Sequence, residues 1–221
     1  MNRQRGRSVA LFLIVTALFV LLALVLVLAN EKFELHAWLN SRHTRWADIF
    51  FTYITHLADG WVPTVIAIVL LLLKDVRSFL MLGISTLGSA LIIQFMKRMI
   101  FHAWDRPFMF KDELGDMSWV IGLEMNHHFS FPSGHAGCAY SMCFALAVIA
   151  GRRGWAVLLA LIAALLAFSR VYLSQHFMED IVAGALIGTI VVVPVYFWLY
   201  KSEAANHAKF DRRLLKPRQN Q

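Results

Sequence analysis

Apolar residues run along this chain in long blocks, each closed by charged or polar positions. The first block, Ser8–Ala29, has no charge inside it and stops at Asn30-Glu31-Lys32. Comparable blocks cover Ser78–Met96, Pro132–Ala150, Trp155–Leu173 and Ile181–Tyr200. An α-helix rises ~1.5 Å per residue, so about 20 apolar residues cross a hydrocarbon core of ~30 Å. The pattern therefore predicts helices that span a bilayer. A further block, Trp61–Leu73, is short for that task and must borrow residues before Trp61, tilt little, or sit where the bilayer is thin. Just upstream, Trp46–Leu57 interleaves Phe50, Phe51, Tyr53 and Ile54 with Asp48 and His56, the mixture expected of a helix lying in the membrane interface. The expected fold is all-α: an integral membrane bundle of six transmembrane helices over residues 8–200. A short segment, residues 1–7, precedes it, and a basic, polar, frayed tail, residues 201–221, follows.

Composition agrees with this pattern. The hydrophobic share of 59% and mean hydropathy of +0.60 exceed those of soluble globular domains, which are roughly half apolar. The first block is longer than the ~7–15 residue core of a signal peptide, and no Ala-x-Ala-like cleavage site follows it, so it reads as a retained span. Cys138 and Cys143 lie five apart on one predicted helix and so on different faces, which suits neither a disulfide nor a metal site. The net charge of +7 does not indicate nucleic acid, because much of the excess flanks the apolar blocks at Met1–Arg7 and Lys201–Gln221.

Basic residues also orient the chain. With the N-terminus inside, the inner segments hold thirteen of the 21 Lys and Arg, and the outer segments hold eight. That asymmetry predicts both termini in the cytoplasm and places the loop Lys97–Phe131 outside. The loop carries Asp105, Asp112, Glu113, Asp116 and Glu124 without compact ligand spacing, so these carboxylates read as a solvated surface.

Three stretches at the outer ends of the blocks carry chemistry. In Ser169-Arg170-Val-Tyr-Leu-Ser-Gln-His176-Phe-Met-Glu-Asp180, the histidine and aspartate are four apart where the last span begins. Residues i and i+4 share a helix face, so Asp180 can take one imidazole N–H and leave the other nitrogen of His176 as a nucleophile. In Phe131-Pro132-Ser133-Gly134-His135, proline suits the first turn of a helix and glycine admits an anion close to the backbone. Free N–H groups at that helix start can hold phosphate oxygens, Ser133 can add a donor, and His135 can supply a proton. In Lys97-Arg98-Met-Ile-Phe-His-Ala-Trp-Asp-Arg106-Pro107, Arg106 can grip phosphate bidentately and Lys97 offers a point charge.

This set resembles the type 2 phosphatidic acid phosphatase (PAP2) superfamily, which also includes bacterial acid phosphatases and vanadium haloperoxidases. The family signature is Lys, six residues, Arg-Pro; then Pro-Ser-Gly-His; then Ser-Arg, five residues, His, three residues, Asp. The second and third parts match without change. The first departs: eight residues separate Lys97 from Arg106, seven separate Arg98 from it, and Met99 occupies the usual lysine position. Either Lys97 keeps the role across a short insertion, or Arg98 takes it.

The resemblance implies that Lys97, Arg106, Ser133, Gly134 and Arg170 cradle the phosphate. It makes His176 the nucleophile that becomes phosphohistidine, His135 the acid for the departing alkoxide, and Asp180 the group that orients His176. It implies a metal-independent phosphoric ester hydrolase with no cofactor, acting on a lipid phosphate monoester or diphosphate among membrane lipids. Phosphatidic acid, phosphatidylglycerophosphate, undecaprenyl diphosphate and lipid A phosphates all fit, and the oligomeric state stays open. A lipid-to-lipid phosphotransferase and a non-catalytic lipid-binding membrane protein are the alternatives. His36, His43 and His207 read as surface or interfacial, and His56 and Asp59 as structural or supporting.

Overall fold

The computed structural model describes residues 2–115 and 117–215; Asp116 and the last six residues of the tail lie outside the described residues. The described residues form eight α-helices and no strand: α1 (Asn2–Ala29), α2 (Lys32–Leu39), α3 (Arg45–Ile54), α4 (Trp61–Leu73), α5 (Val76–Phe95), α6 (Gly134–Ala150), α7 (Arg153–Tyr172) and α8 (Met178–Tyr200).

Length and composition qualify four of these as membrane spans: α1, α5 with its extension to Ile100, α7 and α8. A fifth is gained if Arg45–Ala58 and Trp61–Leu73, bent by 51° at a short break, count as one broken span. The remaining block, Pro132–Ala150, forms α6, whose 17 residues reach only ~26 Å. The expected count of six therefore depends on α4 and α6, both shorter than the core they would cross. For α6 a packing reason is evident. It sits among α1, α5, α7 and α8, and nearly all its residues from Ala136 to Ile149 are buried. Its surroundings are other helices rather than lipid.

Close approach of α6 and α8 rests on glycine. A Cβ on Gly184 would lie 2.4 Å from the Ser133 carbonyl oxygen, and one on Gly188 would lie 2.5 Å from that of Gly137. Small residues four apart let two helix backbones touch, which in lipid replaces the missing hydrophobic drive for association.

Side-chain bonds define the two ends of the bundle. At one end Arg5 Nε donates to the Val148 carbonyl (3.0 Å) and Lys74 Nζ to that of Ile149 (3.4 Å). Arg77 there pairs with Asp211 (3.0 Å) and also donates to the Leu199 carbonyl. Asp75 caps α5 by accepting from the Ser78 N–H (2.7 Å), and Gly151 closes α6 at φ 61° in the left-handed region. The start of the tail departs from the frayed expectation: Phe210 is buried and the Arg212 carbonyl accepts from the Val76 N–H (3.2 Å). The polar clusters of all three motif stretches gather at the other end.

Candidate active site

The turn from α7 into α8 is built by its own backbone. The N–H groups of Gln175 and His176 both donate to the Arg170 carbonyl, at 2.9 and 3.1 Å. This folds His176 back toward Arg170, and the Ser133 N–H ties the turn to the Asp180 carbonyl (2.9 Å). The His–Asp pair is not the helical i,i+4 pair that its spacing predicts. His176 precedes α8, whose N-cap is Phe177, and Asp180 sits in the first turn. Its Oδ2 accepts from the Phe177 N–H (3.0 Å) and faces His176 Nδ1 (3.2 Å). One carboxylate thus caps the helix and orients the imidazole, leaving Nε2 as the lone pair. Ser130 Oγ, at the end of the long loop, donates to the same oxygen (2.5 Å). The other oxygen, Oδ1, is buried without a partner.

His176 is fully enclosed. Burial first, then the positive charges of Arg106, Lys97 and Arg170, hold its imidazole well below the usual histidine range. The neutral imidazole is therefore the favoured form at neutral pH.

The Pro-Ser-Gly-His stretch starts α6 two residues after Pro132, so the proline precedes the helix instead of sitting in its first turn. Ser133 is the N-cap, its Oγ accepting from the Ala136 N–H (3.4 Å), and Gly134 is the first helical residue. The Ser133 oxygen is thus occupied by the helix, and only its hydroxyl proton is left to donate. At Gly134 an added Cβ would meet nothing within 4 Å, so the helix start opens onto free space. His135 Nε2 faces Asp59 Oδ1 at 2.9 Å.

The first stretch settles where its two cations lie. After α5 the backbone widens into a π turn over Met96–Ile100, closed by the Phe101 N–H on the Met96 carbonyl (2.8 Å). Such a turn takes one residue more than an α-turn and resets which side chain faces inward. Lys97 is turned inside, 6% exposed, with Nζ on the Phe129 carbonyl (2.7 Å), while Arg98 is exposed. Arg106 Nε donates to the His128 carbonyl (2.9 Å) and Nη1 to that of Gln175 (3.0 Å). Arg170, 7% exposed, donates from Nη1 to Thr55 Oγ1 (3.0 Å), with Nε buried and unpartnered.

All eight motif residues thus meet at one end of the bundle, drawn from five places in the chain. Sequence reading gave no role to Ser130, Thr55 or Gln175, which hold Asp180, Arg170 and Arg106. Ser130 and Gln175 adjoin or lie within motif stretches, whereas Thr55 is far from all three in sequence. His36 is a correction: read as surface or interfacial, it is 2% exposed, with Nε2 on Ser174 Oγ (3.2 Å). The reason is that α2 folds back onto the end of α7, where Asn40 Nδ2 also reaches the Val171 carbonyl (3.2 Å). Among the described residues no cluster of three or more His, Cys, Asp or Glu is placed to hold a metal ion.

Two cavities flank the cluster. One of about 700 Å³ is lined by Gln94, Lys97, Arg98, His102, Arg106, Asn126, His128 and Phe129. The other, of about 500 Å³, is a largely apolar groove between α4, α5 and α6. It runs from Phe79 and Ala67 up to Asp59, Gly134 and His135. Gln94 lines both. Buried cations, a neutral buried histidine with a carboxylate behind it, and a second histidine can bind a phosphate and move its phosphoryl group.

Known proteins resemble this chain in sequence and in fold. The chain is 26% identical over 184 residues, 80% of each protein, to the lipid A 4'-phosphatase of Bacteroides thetaiotaomicron. Its fold is similar to the crystal structure of Aquifex aeolicus LpxE, with a TM-score of 0.65 and 26% identity over 74% of this chain and 93% of that one. A transmembrane PAP2-type phosphatidylglycerolphosphate phosphatase from Bacillus subtilis shares the fold at a TM-score of 0.59 and 22% identity, over 87% of this chain and 95% of that one. The family model of the PAP2 superfamily matches residues 78–204, which include every motif residue. With more than half its length so matched, this multi-pass membrane chain belongs to the PAP2 superfamily.

Proposed function

We propose that the protein hydrolyses a lipid phosphate monoester or diphosphate through a phosphohistidine, without a metal, on the outer face of the cytoplasmic membrane. The observation that carries this reading is a pair of cavities that share Gln94 in their walls. A cationic chamber suits a phosphorylated head group, and an apolar groove beside it suits a tail that stays in the membrane. Relatives named as lipid A 4'-phosphatase and phosphatidylglycerolphosphate phosphatase support a lipid phosphate as substrate.

In the first step His176 Nε2 attacks phosphorus, the bond from phosphorus to the lipid oxygen breaks, and His135 gives that oxygen a proton. In the second, water attacks the phosphohistidine, His135 takes its proton, and the electron pair returns to His176 Nε2. Lys97, Arg106 and Arg170 neutralise the equatorial oxygens, with the Ser133 hydroxyl and the Gly134 N–H alongside. Phosphoryl transfer needs mainly positioning and fixed positive charge, and three cations, two of them buried, supply the charge that a metal ion provides elsewhere.

The test is a panel of purified lipid phosphates in detergent, assayed for inorganic phosphate and for transfer products, with and without chelator. Phosphate release from lipid substrates, unchanged by chelator and inhibited by vanadate, is the expected result. Transfer products in place of phosphate would identify a phosphotransferase, and loss of activity in chelator that magnesium restores would defeat the metal-free reading.

A further inference from the structure

A second histidine–carboxylate pair stands opposite the first. Asp59 lies in the break between the turn Thr55–Ala58 and α4, and its two oxygens are taken by different imidazoles. Oδ1 lies 2.9 Å from His135 Nε2, and Oδ2 lies 2.8 Å from His56 Nδ1. The two pairs use opposite nitrogens. At His176 the carboxylate faces Nδ1 and leaves Nε2; at His135 it faces Nε2 and leaves Nδ1.

Position adds a second, independent reason. Asp59, Gly134 and His135 line the head of the apolar groove, whereas Lys97 and Arg106 line the polar chamber. A lipid phosphate with its tail in the groove and its phosphate among the cations has its bridging oxygen at that junction. It is this oxygen that needs a proton when it leaves.

We infer that Asp59 is the positioning residue for His135. The inference rests on His135 being the acid of the proposed reaction. Asp59 accepts the Nε2–H, so Nδ1 is the atom that delivers a proton to the departing oxygen and later takes one from the attacking water. A negative carboxylate also supports the positive charge the ring carries before that delivery. His56, whose side chain is 59% exposed, braces Asp59 from the outside, because two donors on one carboxylate fix its rotamer. In the first step the lipid oxygen gains the Nδ1 proton, and His135 becomes neutral. In the second the water proton returns to Nδ1, so the pair ends the cycle as it began.

The experiment measures single-turnover leaving-group release by the full-length protein in detergent, from a lipid phosphate and from an activated aryl phosphate. The variants are Asp59→Asn, His56→Gln, His135→Ala and the double variant Asp59→Asn/His135→Ala. Asp59→Asn should lose roughly 10-fold or more on the lipid phosphate but only about 2-fold on the aryl ester, which departs without a proton. His56→Gln should show the same selectivity with a smaller loss, and it tests the idea again if Asp59→Asn folds poorly. The double variant should be no slower than His135→Ala, since Asp59 acts only through that ring. Equal losses on both substrates, or a double variant whose losses multiply, would overturn the inference while leaving the acid in place. If His135→Ala itself fails to discriminate between substrates, the acid assignment falls, and the inference with it.

Discussion

At the scale of single residues, the site keeps a histidine neutral by enclosing it among cations. His176 is 1% exposed, and burial together with Arg106, Lys97 and Arg170 disfavours its imidazolium. A lowered value means that the nucleophilic form persists as pH falls and is lost only below the ordinary histidine range of ~6.5. The acid limb of kcat/KM that belongs to His176 should therefore lie below that range in a pH–rate profile. An acid limb at 6.5 or above that persists in His135→Ala acting on an aryl phosphate would contradict the burial argument. His176→Ala should abolish turnover of every substrate, including aryl phosphates, because no leaving group replaces a missing nucleophile. The first-motif cations make a second contrast. Lys97 is buried with Nζ 2.7 Å from the Phe129 carbonyl, whereas Arg98 is exposed on the next position of the same wide turn. Lys97→Met should cost about 10²-fold or more in kcat/KM, and Arg98→Ala less than about 5-fold. The reverse order in a kinetic comparison would give Arg98 the role.

At the scale of elements, the site depends on two helix backbones being allowed to touch. Gly184 of α8 faces the Ser133 carbonyl, and an added Cβ would come within 2.4 Å of that oxygen and 2.9 Å of Ala136 Cβ. The obstacle on the Ser133 side is backbone, so the start of α6 must move, and with it the Gly134–His135 turn. Gly184→Ala should destabilise the protein by ~1–3 kcal/mol and lower activity beyond what the lost stability explains. Gly154, at the opposite end on α7, has nothing within 4 Å, so Gly154→Ala should be neutral or slightly stabilising. Thermal unfolding in detergent beside the turnover assay checks both, and an active, fully stable Gly184→Ala would show that α6 and α8 are looser than their contact implies. These elements also show what the sequence could reveal. Apolar blocks located every long helix, and fixed spacings located His135, Arg170, His176 and Asp180, because those signals are local. The π turn at Met96–Ile100 was not legible, because an extra residue in one turn has no propensity signature. Nor were Ser130, Thr55 and Gln175, whose partners Asp180, Arg170 and Arg106 are brought near by packing alone. The His–Asp spacing was read correctly as a pairing and wrongly as a helical face, since four residues also span a helix N-terminus.

At the scale of the whole molecule, the two ends of the bundle differ in chemistry, and that difference should set its direction in the membrane. The site end carries Lys97 and Arg170 buried and Arg106 half-buried, all three near enough to His176 to disfavour its charged form, and Lys97 and Arg106 line the polar cavity. The opposite end carries Arg5, Lys74, Arg77 and Arg152 around an open polar cavity of about 540 Å³, where the N-terminal residues, the α4–α5 turn and the start of the tail meet. Basic residues that flank spans are retained in the cytoplasm, whereas those committed to a buried site exert little such bias. Removing the three site cations from the outer eight sharpens the asymmetry of thirteen to eight among the 21 basic residues. We therefore expect the opposite end, with both termini, in the cytoplasm, and the site facing outward. An alkaline phosphatase reporter, active only outside, should give signal when fused after Glu113 and none after Gln221, and a cytoplasmic fluorescent reporter should give the inverse. The two positions belong to opposite ends only if an odd number of crossings separates them, which α6, α7 and α8 supply when all three cross. Matching signals would mean that α6, the shortest of the three at 17 residues, does not cross, and the six-span bundle would have to be redrawn around it.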